Sequence, residues 1–177
     1  MTFHRSFPFA FLLSVFAFAG LPPGRPLPDL SIPSATGKTK IDLKRFRGKA
    51  LIMAIVNSEC KECEEATQIL KKVKAEYAPQ GLEVLAIVVQ KDADTKAEGF
   101  VAKNKPNFPV GYLVDLAAYR KILNIDEKKN ITSPALLFID AAGQVRVQLY
   151  GDDSLMKKPE LIVRSTVREL LKETPRK

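Results

Sequence analysis

Histidine is almost missing from this 177-residue sequence: the single one is His4. Tryptophan does not occur at all, and cysteine occurs twice, at Cys60 and Cys63. Each shortage narrows the chemistry. A structural zinc site takes about four ligands, nearly all cysteine and histidine, so here the remainder would have to come from acids or from a second subunit. No metal or other cofactor is expected. A framework of structural disulfides usually needs more cysteines, and a loop as short as Cys60 to Cys63 restricts the unfolded chain little. Long apolar runs are also scarce. The one near the N-terminus, Phe7 to Phe18, is roughly 12 residues and contains Pro8, against the ~20 needed to span a bilayer.

What is present at the N-terminus fits export. His4 and Arg5 precede the apolar run, and Ala17-Phe18-Ala19 follows it, the order of a secretory signal with a small-residue cleavage site. We read residues 1–19 as a signal peptide, 20–28 as a proline-rich lead-in and 29–174 as the folded domain. An uncleaved anchor is the alternative; with cleavage the product is soluble, extracytoplasmic or periplasmic, and has no stable membrane span. Removing 1–19 takes away Arg5 and no acid, so the net charge falls only from +8 to about +7. The densest basic groups (Lys44, Arg45, Arg47, Lys49; Lys71, Lys72, Lys74) show no aromatic interleaving or nucleic-acid reader motif. They are expected to form a solvated basic face, suited to acidic partners or anionic surfaces, with no nucleic acid bound.

Periodicity supplies the element order. Leu30 to Leu43 gives two short extended pieces around Ser34-Ala35-Thr36-Gly37-Lys38, a hairpin. Ala50 to Val56 is an unbroken apolar run of the kind that fills a buried central strand. Lys61 to Tyr77 carries apolar residues at helical spacing (Ala66, Ile69, Leu70, Val73, Tyr77) and stops at Pro79-Gln80-Gly81. Leu82 to Val89 is a second apolar strand, so strand, helix and strand make a parallel crossover. Asp92 to Lys105 predicts a weaker helix, Phe108 to Asp115 an extended segment and Leu116 to Asn124 another helix. Ala135 to Asp140 and Val145 to Tyr150 form an antiparallel hairpin across Ala141-Ala142-Gly143-Gln144. Pro159 to Lys172 closes with a helix.

A C-x-x-C pair serves a half zinc site, a redox pair or neither. Position favours redox chemistry, because Cys60 falls where a buried strand feeds the first turn of a helix. Unpaired backbone N–H groups there favour a thiolate. Cys60 is then the exposed attacking thiol, and Cys63, one turn deeper, the one that resolves a mixed disulfide.

With Thr132-Ser133-Pro134 ahead of the strand at Ala135, the chain resembles the thioredoxin superfamily, and within it the exported TlpA/ResA-like thiol-disulfide oxidoreductases of the redoxin group. The residues that carry this include Pro28-Asp29-Leu30, Gly37-Lys38, Leu43 to Lys49, Cys60-Lys61-Glu62-Cys63, Gly81 to Leu85, Phe108-Pro109-Val110, Ser133-Pro134 and Phe138 to Gly143. The resemblance implies an α/β thioredoxin-like fold: a mixed central sheet flanked by helices, with an N-terminal β-hairpin. It implies a cis Pro134 beside the cysteine pair, and a Ser133 backbone that pairs with a bound polypeptide. Protein thiols and disulfides are the implied partners, an apocytochrome and a membrane electron donor among them.

The chain departs from the family pattern in several places. Glu59 stands where relatives have an aromatic residue, and Lys61-Glu62 where many have a proline. Ala54 and Ala66 stand at the two places where relatives keep a proton-handling acid, and Glu65 faces elsewhere. Lack of histidine argues against the copper-delivery relatives. Glu59, Glu62, Glu64 and Glu65 oppose a thiolate at Cys60 while Lys61 favours it, so the protein is expected to act as a reductant. Two alternatives are a peroxiredoxin-like peroxidase, disfavoured because Asn57 replaces its usual threonine or serine, and a non-catalytic binding module of the same fold.

Overall fold

The computed structural model describes residues 21–126, 128 and 132–173. The signal peptide read at 1–19 and the last residue of the expected domain, 174, lie outside these.

All seven residues of strand β4 (Ala50–Val56) are buried. Their side chains alternate between two cores: Ala50, Ile52, Ala54 and Val56 enter one, Leu51, Met53 and Ile55 the other. An unbroken apolar run is what a strand covered on both faces requires. Strand β5 (Leu82–Val89) runs parallel to it, with Ile52 opposite Val84. On the other side β7 (Ala135–Ile139) runs antiparallel, with Ile52 opposite Phe138. Strands β1 (Arg25–Pro26), β6 (Val110–Leu113) and β8 (Gln144–Tyr150) complete a mixed sheet in the order β1-β8-β7-β4-β5-β6. The expected hairpin is present as β2 (Ser31–Pro33) and β3 (Lys40–Asp42), paired only with each other.

Helices α1 (Lys61–Tyr77), α2 (Ala93–Asn104) and α4 (Pro159–Lys172) cover the first core through Leu70, Val73, Phe100, Val163 and Val167. Helix α3 (Leu116–Leu123) covers the second with Tyr119 and Ile122, joined by Ile32 and Ile41 of the hairpin. This is the α/β, helix-flanked mixed sheet anticipated above.

Three local features differ from the sequence expectations. The proline-rich lead-in does more than run over the surface: Arg25 and Pro26 pair with β8 and form the sheet's edge, where a residue without an N–H is tolerated. From there the Arg25 guanidinium donates to the Ile122 carbonyl at 2.9 Å, while Gln148 Nε2 donates to the Leu123 carbonyl at 3.0 Å. These side chains satisfy carbonyls that the end of α3 leaves without helical partners. The extended segment expected over 108–115 shortens to β6, because Asp115 turns to cap α3 and accepts from Ala117 N at 2.8 Å. The basic clusters are partly neutralised: Lys44 and Arg47 meet Asp29, and Lys49 and Lys74 meet Glu83.

Two outcomes follow from this core. Phe138 is fully buried between β4 and β8, so Phe138→Ala should lower the unfolding free energy in a denaturant titration by about 3–5 kcal/mol. Burial, and secondarily Tyr150, push the Tyr119 hydroxyl up to about 12. An unfolded tyrosine ionises near ~10, so Tyr119 contributes fully below that pH and its contribution is lost as pH rises toward the folded value. Stability should therefore fall across that alkaline window, and Tyr119→Phe should flatten the fall.

Candidate active site

Strand β4 delivers the chain to a short turn, and α1 begins at once. The turn is fixed at two points: Asn57 Oδ1 accepts from Glu59 N, and Gln90 Oε1, beyond the end of β5, accepts from Ser58 N, each at 2.9 Å. Cys60 is the N-cap of α1, with extended backbone (φ −96°, ψ 117°), and its Sγ accepts from Cys63 N at 3.1 Å. A sulfur in the capping position receives one of the unpaired N–H groups of the first turn and sits at the positive end of the helix dipole. Both effects favour a thiolate on Cys60 once the pair is reduced.

Cys60 and Cys63 form a disulfide, their Cα atoms 5.2 Å apart. Their exposures differ. Cys60 is half-buried at the rim, whereas Cys63 has 0% of its surface accessible and belongs to the core beneath α1. A partner can reach only the first sulfur.

The other predicted residues arrive on the turn that leads into β7, the strand beside β4. The Ser133–Pro134 peptide is cis, and the Ser133 carbonyl oxygen stands 3.9 Å from Cys60 Sγ. The fold therefore brings together all four residues singled out in the sequence, across 73 positions of chain. Behind them lies Gly151, which the sequence did not mark. A Cβ built there would come within 2.7 Å of the Ser133 carbonyl oxygen and 3.2 Å of Pro134 Cδ. The absence of a side chain lets the end of β8 close against this turn. A glycine directly after a strand was the available signal.

The electrostatics rest on few groups. Ala54 and Ala66 are buried, and, tyrosines aside, the buried polar side chains among the described residues are Thr67, Asn104 and Thr166, none of which ionises. Among the described residues no buried acid lies under the cysteines. The four glutamates around the helix start are not equivalent. Lys96 of α2 meets Glu59 at 3.1 Å, and Lys103 of α2 meets Glu64. The hydrogen bond that Lys96 donates to Glu59, and then the Glu59 charge, hold the Lys96 ammonium above its ordinary value. Glu62 instead places Oε2 3.7 Å from Cys60 Sγ. Sequence spacing along α1 alone gave no access to this division, because both lysines come from another helix. Among the described residues no group of three or more His, Cys, Asp or Glu side chains is arranged to hold a metal ion, and no helix is long and apolar enough to cross a membrane.

A six-stranded mixed sheet with a C-x-x-C pair at the junction of a central strand and its helix, facing a cis-proline turn, defines a thioredoxin-like protein. The Redoxin family model matches residues 22–161, so the chain belongs to the Redoxin family. The chain is 25% identical over 143 residues to the thiol-disulfide oxidoreductase ResA of Bacillus thuringiensis, covering 81% of this chain and 78% of that protein. It is 28% identical over 137 residues to protein DipZ of Mycobacterium bovis, covering 77% of this chain but only 19% of DipZ. Among solved structures, a protein assigned as thiol:disulfide interchange protein DsbE in Chlorobium tepidum superposes with a TM-score of 0.70 at 20% identity, over 85% of this chain and 99% of that one. At that identity the superposition shows the shared fold.

Gly151→Ala forces a contact that backbone must yield to. We expect it to cost about 1–3 kcal/mol in a denaturant titration and to slow disulfide exchange at Cys60 by moving Ser133, both measured on the purified variant.

Proposed function

We propose that the protein is an exported thiol-disulfide oxidoreductase that exchanges electrons with cysteine pairs on other proteins and works chiefly as their reductant. The observation that carries this is the asymmetry of the pair: an accessible, helix-capping Cys60 backed by an inaccessible Cys63, with the Ser133 backbone against the outer sulfur.

In the reduced protein, the Cys60 thiolate attacks one sulfur of a partner's disulfide. A Cys60–partner disulfide forms, the partner's bond breaks, and its second sulfur leaves as a thiolate that takes a proton. The Cys63 thiol then loses its proton and attacks Cys60 Sγ. The mixed disulfide breaks, the partner departs with both cysteines reduced, and the Cys60–Cys63 disulfide is regenerated. Ser133 and Pro134 form the partner-binding edge, where an extended segment adds beside Ser133 as a short strand. The reducing direction is supported by the Glu62 carboxylate 3.7 Å from Cys60 Sγ, since a costlier thiolate favours the disulfide form. Export is supported by the signal pattern at 1–19. Apocytochromes awaiting haem attachment are the client class that the resemblance implies, with a membrane electron donor re-reducing the Cys60–Cys63 disulfide after each exchange. A peroxidase reading gains nothing from the site, because Asn57 is engaged in the turn through Glu59 N.

Two measurements check this. A Cys63→Ser variant should accumulate mixed disulfides through Cys60 when mixed with disulfide-bonded exported proteins, and the Cys60→Ser, Cys63→Ser double variant should accumulate none. Redox titration against glutathione should give a potential nearer the ~−270 mV of a reductant such as thioredoxin than the ~−120 mV of the oxidant DsbA.

A further inference from the structure

Four glutamates surround the start of α1, and α2 neutralises two of them. Glu59 is held by Lys96 and Glu64 by Lys103. Lys61 and Glu65 share the helix with Glu62 and are exposed. Consecutive helical residues do not face one another, so Lys61 is not on the Glu62 side. Glu62 is exposed too, and its carboxylate lies not against a cation but against the sulfur that partners must reach, with Oε2 3.7 Å from Cys60 Sγ. In the disulfide that sulfur carries no proton, so the contact brings the carboxylate no hydrogen bond. A negative charge is thus left beside the reacting atom, at the rim where the partner's backbone would lie along Ser133.

We infer that Glu62 is a specificity determinant that selects partners carrying a lysine or arginine next to the reacting cysteine. The inference rests on the exchange function proposed above. A cationic neighbour brought in with the partner pairs with the carboxylate, and in doing so removes the charge that opposes a thiolate on Cys60. The attacking thiol is then activated most by the partners that fit. An acidic neighbour meets repulsion and leaves the thiolate costly. This local preference opposes the overall charge of the chain, formally +8 over the whole sequence, which attracts acidic proteins from a distance. Long-range attraction and close-range selection therefore act on different parts of the same partner.

The test uses the Cys63→Ser protein and three short peptides in which the cysteine, flanked by lysine, alanine or glutamate, is blocked as a mixed disulfide with thionitrobenzoate. Attack by Cys60 on the peptide sulfur forms the protein–peptide disulfide, breaks the blocked bond and expels coloured thionitrobenzoate, so release reports the rate. The leaving group is common to all three peptides and cancels in rate ratios. At low salt the lysine peptide should react about fivefold faster than the glutamate peptide, the size expected of one exposed charge pair, and high salt should shrink the ratio. Adding Glu62→Gln should bring the ratio to one or below, and Glu62→Lys should reverse it. Glu64→Gln should leave it unchanged. A ratio unaltered by Glu62→Gln, or lost equally with Glu64→Gln, overturns the assignment to Glu62. Failure of every peptide to release thionitrobenzoate overturns the exchange function itself and this inference with it.

Discussion

Strand β4 is the constraint on which the rest of the molecule depends. It is hydrogen-bonded on both sides and covered on both faces, so its position is fixed by two cores at once. A chain leaving such a strand has little freedom, and α1 begins within a few residues of its end. Cys60 is therefore set at a helix N-terminus by the same packing that makes the fold stable. The partner residues Ser133 and Pro134 arrive by the same route, because β7 pairs with β4 and starts from the turn that contains them. One sheet, built for burial, fixes both halves of the site.

Given that frame, the chemistry is decided by surface charge and backbone rather than by a buried acid. Ala54 and Ala66 occupy the positions where the family pattern has an acid, and the buried polar side chain shown against Cys63, Thr67, does not titrate. The groups set around Cys60 Sγ are then the start of α1, the Cys63 N–H and a carboxylate at the rim. Helix α2 sorts the carboxylates there: its two lysines pair with Glu59 and Glu64, and the carboxylate standing 3.7 Å from Cys60 Sγ is that of Glu62. Exposed charges are screened and individually weak, which makes this site more responsive to what docks on it than one controlled by a buried group.

Much of this was legible in the sequence because the signals are local. The apolar run Ala50 to Val56, the helical spacing from Lys61 to Tyr77 and the second run from Leu82 each carry their own periodicity, and the crossover follows from their order. The two cysteines could be placed at the helix start for the same reason. Features that depend on distant chain meeting were not legible. Arg25 closing the end of α3, Lys96 and Lys103 reaching back to Glu59 and Glu64, and Gly151 making room for Ser133 all join segments whose separation no local pattern records.

By itself, then, the sequence determined the class of element at each stretch, the double burial of the central strand, and a C-x-x-C pair at a strand-to-helix junction, since these follow from side-chain size, polarity and spacing along a few turns of chain. Tertiary structure decided how completely Cys63 is closed off, how near the Ser133 carbonyl comes to Cys60 Sγ, and which of four similar glutamates stands beside that sulfur. Those outcomes turn on distances of a few ångströms between separate elements, and Coulomb and contact forces are set by such distances and by burial, not by position along the chain.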